Sequence, residues 1–402
     1  MGSDSTRDLA QQKGNDAVPY RVLGPDDPAL MALEAALQAH PDWSTTLTIV
    51  PWAEYRERLM QTLTAPIAPY QAVCVPGHVW IPELADAGFL APFNPILDRL
   101  PKQVCSYQPD EILPSVARES RYADSQYMLP LFSDGHLVFY RTDRVAIPAG
   151  DGVPLISPTA MAGLAAGAHR PPALYGLALK AHASEILLDW LPYLWAEGGD
   201  ILDESGRPAF AGAAGIRALE AYCDLRRYCP PDTHQYGNAE IADAIRQGRV
   251  ALATSWGGQA AAIMQAPDAA PIAFYGVATF PQPWNATWGI AVPANQAPSV
   301  QEGVLSVLLQ AAGPETDRAV TSLAGSPVRE SSYAPSELER YPWLAAQHEM
   351  LKRAKSLPIH PKVGAFLGAL YVAVHDAFVG KATAREALVR AESIVREVAG
   401  EM

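Results

Sequence analysis

Three strand-then-helix units follow one another near the amino terminus, and they restrict the chain to an α/β architecture. Tyr20 to Leu23 reads as a strand and Ala29 to Ala39 as a helix, with Asp27 as a candidate N-cap. Leu47 to Val50 and Ala53 to Leu63 repeat the pattern. In the third unit an apolar run, Ala72 to Val75, stops at Pro76-Gly77, and a helical pattern runs from Trp80 to Gly88, with Pro92 just beyond. This order argues for a mostly parallel sheet. Loops at the carboxyl ends of such strands hold ligands. The third loop carries His78 and Trp80, two flat groups suited to gripping a ring, although a tryptophan there equally suits a packed core.

The rest of the chain continues in the same style. Leu137 to Tyr140, Val250 to Thr254, Gly276 to Phe280 and Trp288 to Val292 read as strands, and Ser184 to Glu197, Gly212 to Arg227 and Ala239 to Gln247 as helices. From Pro298 the pattern is largely helical. A chain of 402 residues, 49% apolar, has material for two or three domains with substantial cores.

Several function classes drop out. The net charge is -13 and no basic stripe appears, which argues against nucleic-acid binding. No apolar span is long enough for a transmembrane helix. Residues 1–16 are polar and lack the apolar centre of a signal peptide, so they read as a flexible leader or tag on a chain that is cytoplasmic or has lost its signal. Of the four cysteines, Cys74 lies inside an apolar strand, and Cys105 has no evident local partner. Cys223 and Cys229 are spaced for a local disulfide or stand as a free pair. No CxxC, HExxH or Asp-rich calcium loop is present, so neither metal nor cofactor is expected. GxSxG, P-loop and GxGxxG motifs are also missing, which speaks against the common hydrolase and nucleotide chemistries.

An ordered set of motifs carries a family resemblance. The segment Trp80-Ile81-Pro82-Glu83-Leu84-Ala85-Asp86-Ala87-Gly88-Phe89-Leu90-Ala91-Pro92 is followed by Leu129-Pro130 and then Leu137-Val138-Phe139-Tyr140-Arg141-Thr142-Asp143. Then come Trp195-Ala196-Glu197-Gly198-Gly199-Asp200, Ile245-Arg246-Gln247-Gly248-Arg249-Val250-Ala251-Leu252 with Ser255-Trp256-Gly257-Gly258, and finally Pro327-Val328-Arg329 through Tyr333. In this order they resemble family 1 extracellular solute-binding proteins of ABC importers, the maltose-binding-protein-like group, over roughly residues 18–398. Arg141 replaces an asparagine usual there.

The resemblance implies an α/β fold of type II, two lobes, each a mixed sheet flanked by helices, joined by a multi-crossing hinge and closing on a ligand. It implies lobe 1 at 17–133 and 286–314, lobe 2 at 134–285 and 315–402, and crossings near 132–136, 281–287 and 313–327. Ser133-Asp134-Gly135 and Pro281-Gln282-Pro283 read as breaks between strands, as hinges require. It also implies a carbohydrate ligand, ABC-transporter permease subunits as partners, a monomer, no catalysis, and a periplasmic or lipid-anchored extracellular location.

Sugars offer an apolar C–H face and a rim of hydroxyls, so binding takes aromatic platforms and planar polar groups. Trp52, Trp80, Trp195, Trp256, Trp284 and Trp288 fall at break points facing the expected cleft, with Phe132, Asp26, His78, Asp134, Glu197, Asn285 and Arg329 beside them. Gly257 and Gly258 leave room for a ligand to approach the backbone. Trp190, Trp43 and Trp343 are assigned to packing. Asp134 suits two sugar hydroxyls or a turn cap. The Arg329 fork suits an anion, or a carboxylate of its own lobe. An anionic polyol derivative, such as a glycerophosphodiester or sulfonated sugar, is therefore the alternative ligand, and a carbohydrate-active enzyme the alternative class.

Overall fold

A computed structural model describes residues 19–100, 107–147, 150, 152–265 and 270–400. Residues 1–16 and Cys105 lie outside the described residues. The described residues form ten strands: β1 (Tyr20–Pro25), β2 (Thr45–Val50), β3 (Ala72–Pro76), the short hairpin β4 (Arg121–Tyr122) and β5 (Ser125–Gln126), β6 (Leu129–Arg141), β7 (Tyr175–Ala178), β8 (Val250–Trp256), β9 (Tyr275–Ala278) and β10 (Asn285–Ala291). The main sheet runs β2-β1-β3-β10-β6-β8-β7, with β9 also paired to β6.

The three amino-terminal βα units form as their sequence dictates. β1 pairs in parallel with β2 and β3. All five residues of β3 are buried, as expected of a strand covered on both faces. The sheet is nevertheless mixed rather than mostly parallel, because β10 returns from the far half of the chain and pairs antiparallel with both β3 and β6. β7 and β8 are parallel to each other, whereas β8 and β9 run antiparallel to β6.

The stretch Phe132–His136 is not a turn. It is the middle of a single 13-residue strand. Ser133-Asp134-Gly135 resembles a break in sequence, but Gly135 serves a close approach: a Cβ there would lie 2.2 Å from Met350 Sδ and 2.7 Å from the Trp284 carbonyl oxygen. β6 pairs with β10 up to Gly135 and with β8 from His136 onward. One strand therefore belongs to both halves of the molecule.

Apolar side chains collect into separate clusters on either side of that switch. The first gathers Val22, Leu33, Val75, Ile81, Phe132 and Leu305. The second and third lie on opposite faces of the distal sheet: Val138 points into one, Leu137 and Phe139 into the other, following the two-residue alternation of a strand. The helix Pro314–Leu323 places Val320 in the first cluster, not the second as a boundary at 314 predicts. Its anchor is the helix Leu30–Ala39, against which it packs. Cys223 and Cys229 are both free thiols, so the local disulfide is not formed.

Candidate functional site

The carboxyl ends of β1, β3 and β8 and the crossings through β6 and β10 converge on a cavity of about 490 Å³. The helix after β3 spans Gly77–Asp86 and begins directly at the strand end, three residues earlier than the periodicity suggests. His78 and Trp80 therefore sit in its first turn rather than in a loop. No residue can replace Gly77 freely, since a Cβ there would lie 2.4 Å from the Glu119 carbonyl oxygen. The helix Trp52–Thr64 starts just as abruptly after Pro51, and its Trp52 amide donates to Asp26 Oδ1 at 2.8 Å. Asp26 thus caps a helix from another loop.

Five tryptophans line the cavity: Trp52, Trp80, Trp288, Trp256 and Trp284. They form two walls. On one side Trp52 stacks on Trp80 with ring centres 5.9 Å apart and planes 8° apart, and Trp288 meets Trp52 edge-on at 5.5 Å. Phe132 backs Trp288 at 5.8 Å and 4°. Trp80, Phe132 and Trp288 pack with the first apolar cluster, and Trp52 lies against Trp80 and Trp288. On the other side Trp256 and Trp284 meet edge to face at 4.8 Å, and both belong to the second cluster. Trp52 remains 52% exposed, the only one of the five so open to solvent.

Polar groups sit between the walls. Asp27 Oδ1 accepts the Ala29 amide at 2.8 Å, and Asp134 Oδ1 accepts the Gly258 amide at 2.6 Å. No described residue donates to the second oxygen of either. Burial pushes the Asp27 carboxyl up to about 6, against the Ala29 amide that favours its charge. Asp134 rises to about 7, first through burial and then through the charge of Asp27, with the Gly258 amide and Lys180 pulling the other way. Burial drives His78 down to about 4, so its ring is neutral at pH 7.

Glu185 and Lys180 support Trp256. Glu185 Oε2 accepts the Trp256 indole N–H at 2.6 Å, and the fully buried Lys180 ammonium lies 4.1 Å from that ring's centre. Lys180 also bonds Asn238 Oδ1 and pairs with Glu185 at 3.4 Å. No Lys or Arg lines the cavity among the described residues. The lining is thus aromatic and rich in acceptors, with indole, hydroxyl and amide groups as its donors.

Asp26, Trp52, His78, Trp80, Asp134, Trp256, Trp284 and Trp288, all named in the sequence reading, are brought together at this cavity. Others are not. Trp195 is 6% exposed and packs in the second cluster, on a helix whose residues Ile186–Leu187 and Asp189–Trp195 are all buried. Gly257 and Gly258 are not part of the lining; their missing side chains make room for protein. A Cβ on Gly257 would lie 2.1 Å from Gln347 Oε1, and one on Gly258 would lie 2.3 Å from Asp134 Oδ1. Arg329 is fully buried elsewhere. It donates to the carbonyls of Gln108 and Ala312 at 2.9 Å each and stacks over Tyr107 at 4.5 Å. Glu197 pairs with Arg217 on the surface, and Asn285 is wholly buried.

Sequence reading missed Asp27 as a lining group, along with Ser184, Glu185, Asn238, Gln259 and Tyr371. Ser184, Glu185 and Asn238 stand at helix starts, where capping and binding favour the same residue types. A larger groove of about 690 Å³ lies between the helices Leu30–Ala39 and Pro314–Leu323. Its lining includes Ala32, Ala35, Ala36 and Ala39 and holds one tryptophan, Trp43, against the five of the smaller cavity.

The comparisons agree with this geometry. The family described as bacterial extracellular solute-binding protein matches residues 24–304. The mannitol-binding protein of Pseudomonas aeruginosa is 24% identical over 341 residues, 81% of this chain and 75% of that protein. Among solved structures, an ABC transporter solute-binding protein from Agrobacterium radiobacter K84, in complex with ribitol, gives a TM-score of 0.83 at 18% identity, covering 96% of this chain and 100% of that one. Maltose-bound MalE3 of T. maritima gives 0.81 at 18% identity, covering 95% and 100%. With the family matched over most of its length and a two-lobed α/β fold to accompany it, this chain belongs to the bacterial extracellular solute-binding protein family.

Proposed function

We propose that this protein is the substrate-binding component of an ABC importer and captures a small neutral sugar or polyol in the cavity between its lobes. The observation that carries this reading is the pair of tryptophan walls, one from each side of the β6 switch, closing on two carboxylates with free oxygens. Indole faces take the C–H surface, and Asp27 and Asp134 accept hydroxyl protons. A ligand that touches both walls binds the closed form better than the open one and so shifts the population toward it. The relatives named for mannitol and ribitol, and the maltose-bound structure, support this ligand class.

On this reading lobe 1 comprises residues up to 133 together with 286–324, and lobe 2 the remainder. They rotate about Gly135–His136 and the Pro281–Thr287 crossing. The protein acts as a monomer outside the cytoplasmic membrane, periplasmic or lipid-anchored, and delivers its ligand unaltered to permease subunits. The anionic-polyol alternative has lost its residue, since Arg329 is held by backbone carbonyls far from the lining.

A thermal-shift screen over mannitol, ribitol, sorbitol and maltose tests the proposal. A ligand at 100 times its dissociation constant stabilises by about 2.7 kcal/mol. No shift with any of them at saturating concentration defeats it. Prolonged incubation with oligosaccharides followed by product analysis tests for catalysis, and cleaved product would move the protein into the enzyme class.

A further inference from the structure

His136 stands where strand β6 passes from one partner to the next. It lies opposite Trp256 in the β6–β8 ladder, while its neighbour Gly135 lies opposite Asn285, the residue after Trp284. Its ring meets Trp256 at 5.0 Å and 69°, Trp284 at 5.8 Å and 66°, and Phe280 at 4.9 Å and 72°. One imidazole therefore contacts both rings of the second wall.

The imidazole is itself fixed. It is fully buried, and its Nε2 lies 2.8 Å from Asp189 Oδ1. The Tyr222 hydroxyl donates to Asp189 Oδ2, also at 2.8 Å. The backbone is held as well, by the Thr279 hydroxyl donating to the His136 carbonyl at 2.9 Å. Burial pulls the imidazole's pKa down while Asp189 pulls it up, and Nε2 is the nitrogen turned to the carboxylate. Nδ1 has no partner among the described residues, and the ring's remaining contribution is its contact surface. A buried polar trio costs desolvation that an apolar side chain would not. What it supplies instead is direction: Asp189 prevents the ring from turning, and the two indoles rest against a ring that cannot turn.

We propose that His136 is a positioning residue that holds Trp256 and Trp284 as one rigid stacking surface, so that affinity and selectivity depend on an imidazole the ligand does not touch. The proposal rests on the cavity being the binding site. A surface already in its bound shape loses less conformational freedom on binding.

Three variants test it. His136→Gln keeps an amide donor for Asp189 but removes the ring; Asp189→Asn keeps the ring and removes its ionic anchor. Calorimetry uses whichever of mannitol, ribitol or maltose binds the native protein most tightly. Near-ultraviolet circular dichroism of the ligand-free protein reports the tryptophan pair. His136→Gln is expected to weaken binding at least tenfold and to change the near-ultraviolet spectrum. Asp189→Asn should do the same to a smaller degree, which keeps the test alive if His136→Gln does not fold. Adding His136→Gln to Trp256→Ala should cost less affinity than His136→Gln costs alone, because part of its effect acts through Trp256 and only the Trp284 part remains. A folded His136→Gln with native spectrum and native affinity overturns the proposal, as does full additivity in the double variant. If neither these three ligands nor sorbitol binds the native protein, the function proposed above fails, and the spectrum alone still decides whether His136 orders the tryptophans.

Discussion

The Gly258 amide donates to Asp134 Oδ1 at 2.6 Å, and a Cβ on Gly258 would lie 2.3 Å from that same oxygen. The glycine and the aspartate therefore form one unit. Backbone from the end of β8 reaches across the switch and fixes a carboxylate of β6, and the second carboxylate oxygen has no donor among the described residues. Gly258→Ala should displace Asp134 and weaken binding about tenfold to a hundredfold, the range for losing a hydrogen bond to a charged group. Asp134→Asn retains the acceptor for Gly258 and removes the charge, so it should lose less. Calorimetric titration of both variants checks the order, and native affinity in both would place Asp134 outside the binding contacts.

Trp256 carries the next prediction. It is 5% exposed, lines the cavity, and is held by Glu185 and Lys180. Trp256→Ala removes stacking area while the Lys180–Glu185 pair, at 3.4 Å, remains. Affinity should fall at least tenfold, ~1.4 kcal/mol, with far-ultraviolet circular dichroism unchanged. A folded variant with native affinity would remove this ring from the site.

The strand ends were readable because alternation of strand and helix patterns says which end of the sheet holds the loops. That is why Trp52, Trp80 and Trp256, at or just beyond the ends of β2, β3 and β8, were legible as neighbours of one cavity. What failed has a physical cause in each case. Ser133-Asp134-Gly135 has turn composition, but its glycine answers a tertiary contact with Met350 that no local pattern reveals. Trp195 lies just before a Gly-Gly pair, as Trp256 does, yet it packs into the second cluster on a helix buried over most of its length. Asp27 was readable as a cap, and it is one. Its free oxygen was not readable, because sequence does not say which way the remaining lone pairs point. Tyr371 lies inside the helix Val363–Phe378 and reaches the cavity only through the packing of that helix against the first lobe.

Glu119 makes a prediction about pH. It is 5% exposed; its Oε2 accepts the Thr287 amide at 2.6 Å on the crossing strand β10, and Oε1 has no partner among the described residues. Burial pushes its carboxyl up to about 8, with bonds to Thr287 acting in the opposite direction. The folded value lies above the ordinary one of 4.5. The folded state therefore keeps a proton that the unfolded chain loses, and stability declines as pH rises between those two values. The slope is at most ~1.4 kcal/mol per pH unit from one group. Glu119→Gln cannot ionise. Its stability relative to the native protein should grow from pH 5 to pH 8 and level off beyond. Comparing the two proteins cancels the opposing titration of His78, which lies in the lower part of that window. Parallel urea-stability curves across the range would mean that Glu119 is already ionised at pH 5.

Arg329 gives the last prediction, and it separates a structural cation from a ligand cation. Its guanidinium bonds the Gln108 and Ala312 carbonyls, and its backbone amide donates to Asp317 Oδ2 at 3.1 Å. Asp317 also accepts the Val328 amide and the Ser332 hydroxyl, at 2.8 and 2.6 Å. Arg329→Met removes the side-chain donor of the buried Ala312 carbonyl, leaves the Gln108 carbonyl with the Glu111 amide alone, and withdraws the positive charge that helps keep Asp317 ionised. Destabilisation should be about 3 kcal/mol, as for breaking a buried charged network from one side. Affinity for a neutral polyol should stay within about twofold of native at temperatures where the variant is folded. Raising salt to 1 M should likewise leave native affinity nearly unchanged, because screening then reaches down to about 3 Å and a neutral ligand has no charge to screen. Urea denaturation and calorimetry read the two effects separately. Native stability with lost affinity, joined to strong weakening by salt, would return Arg329 to the ligand and make that ligand an anion.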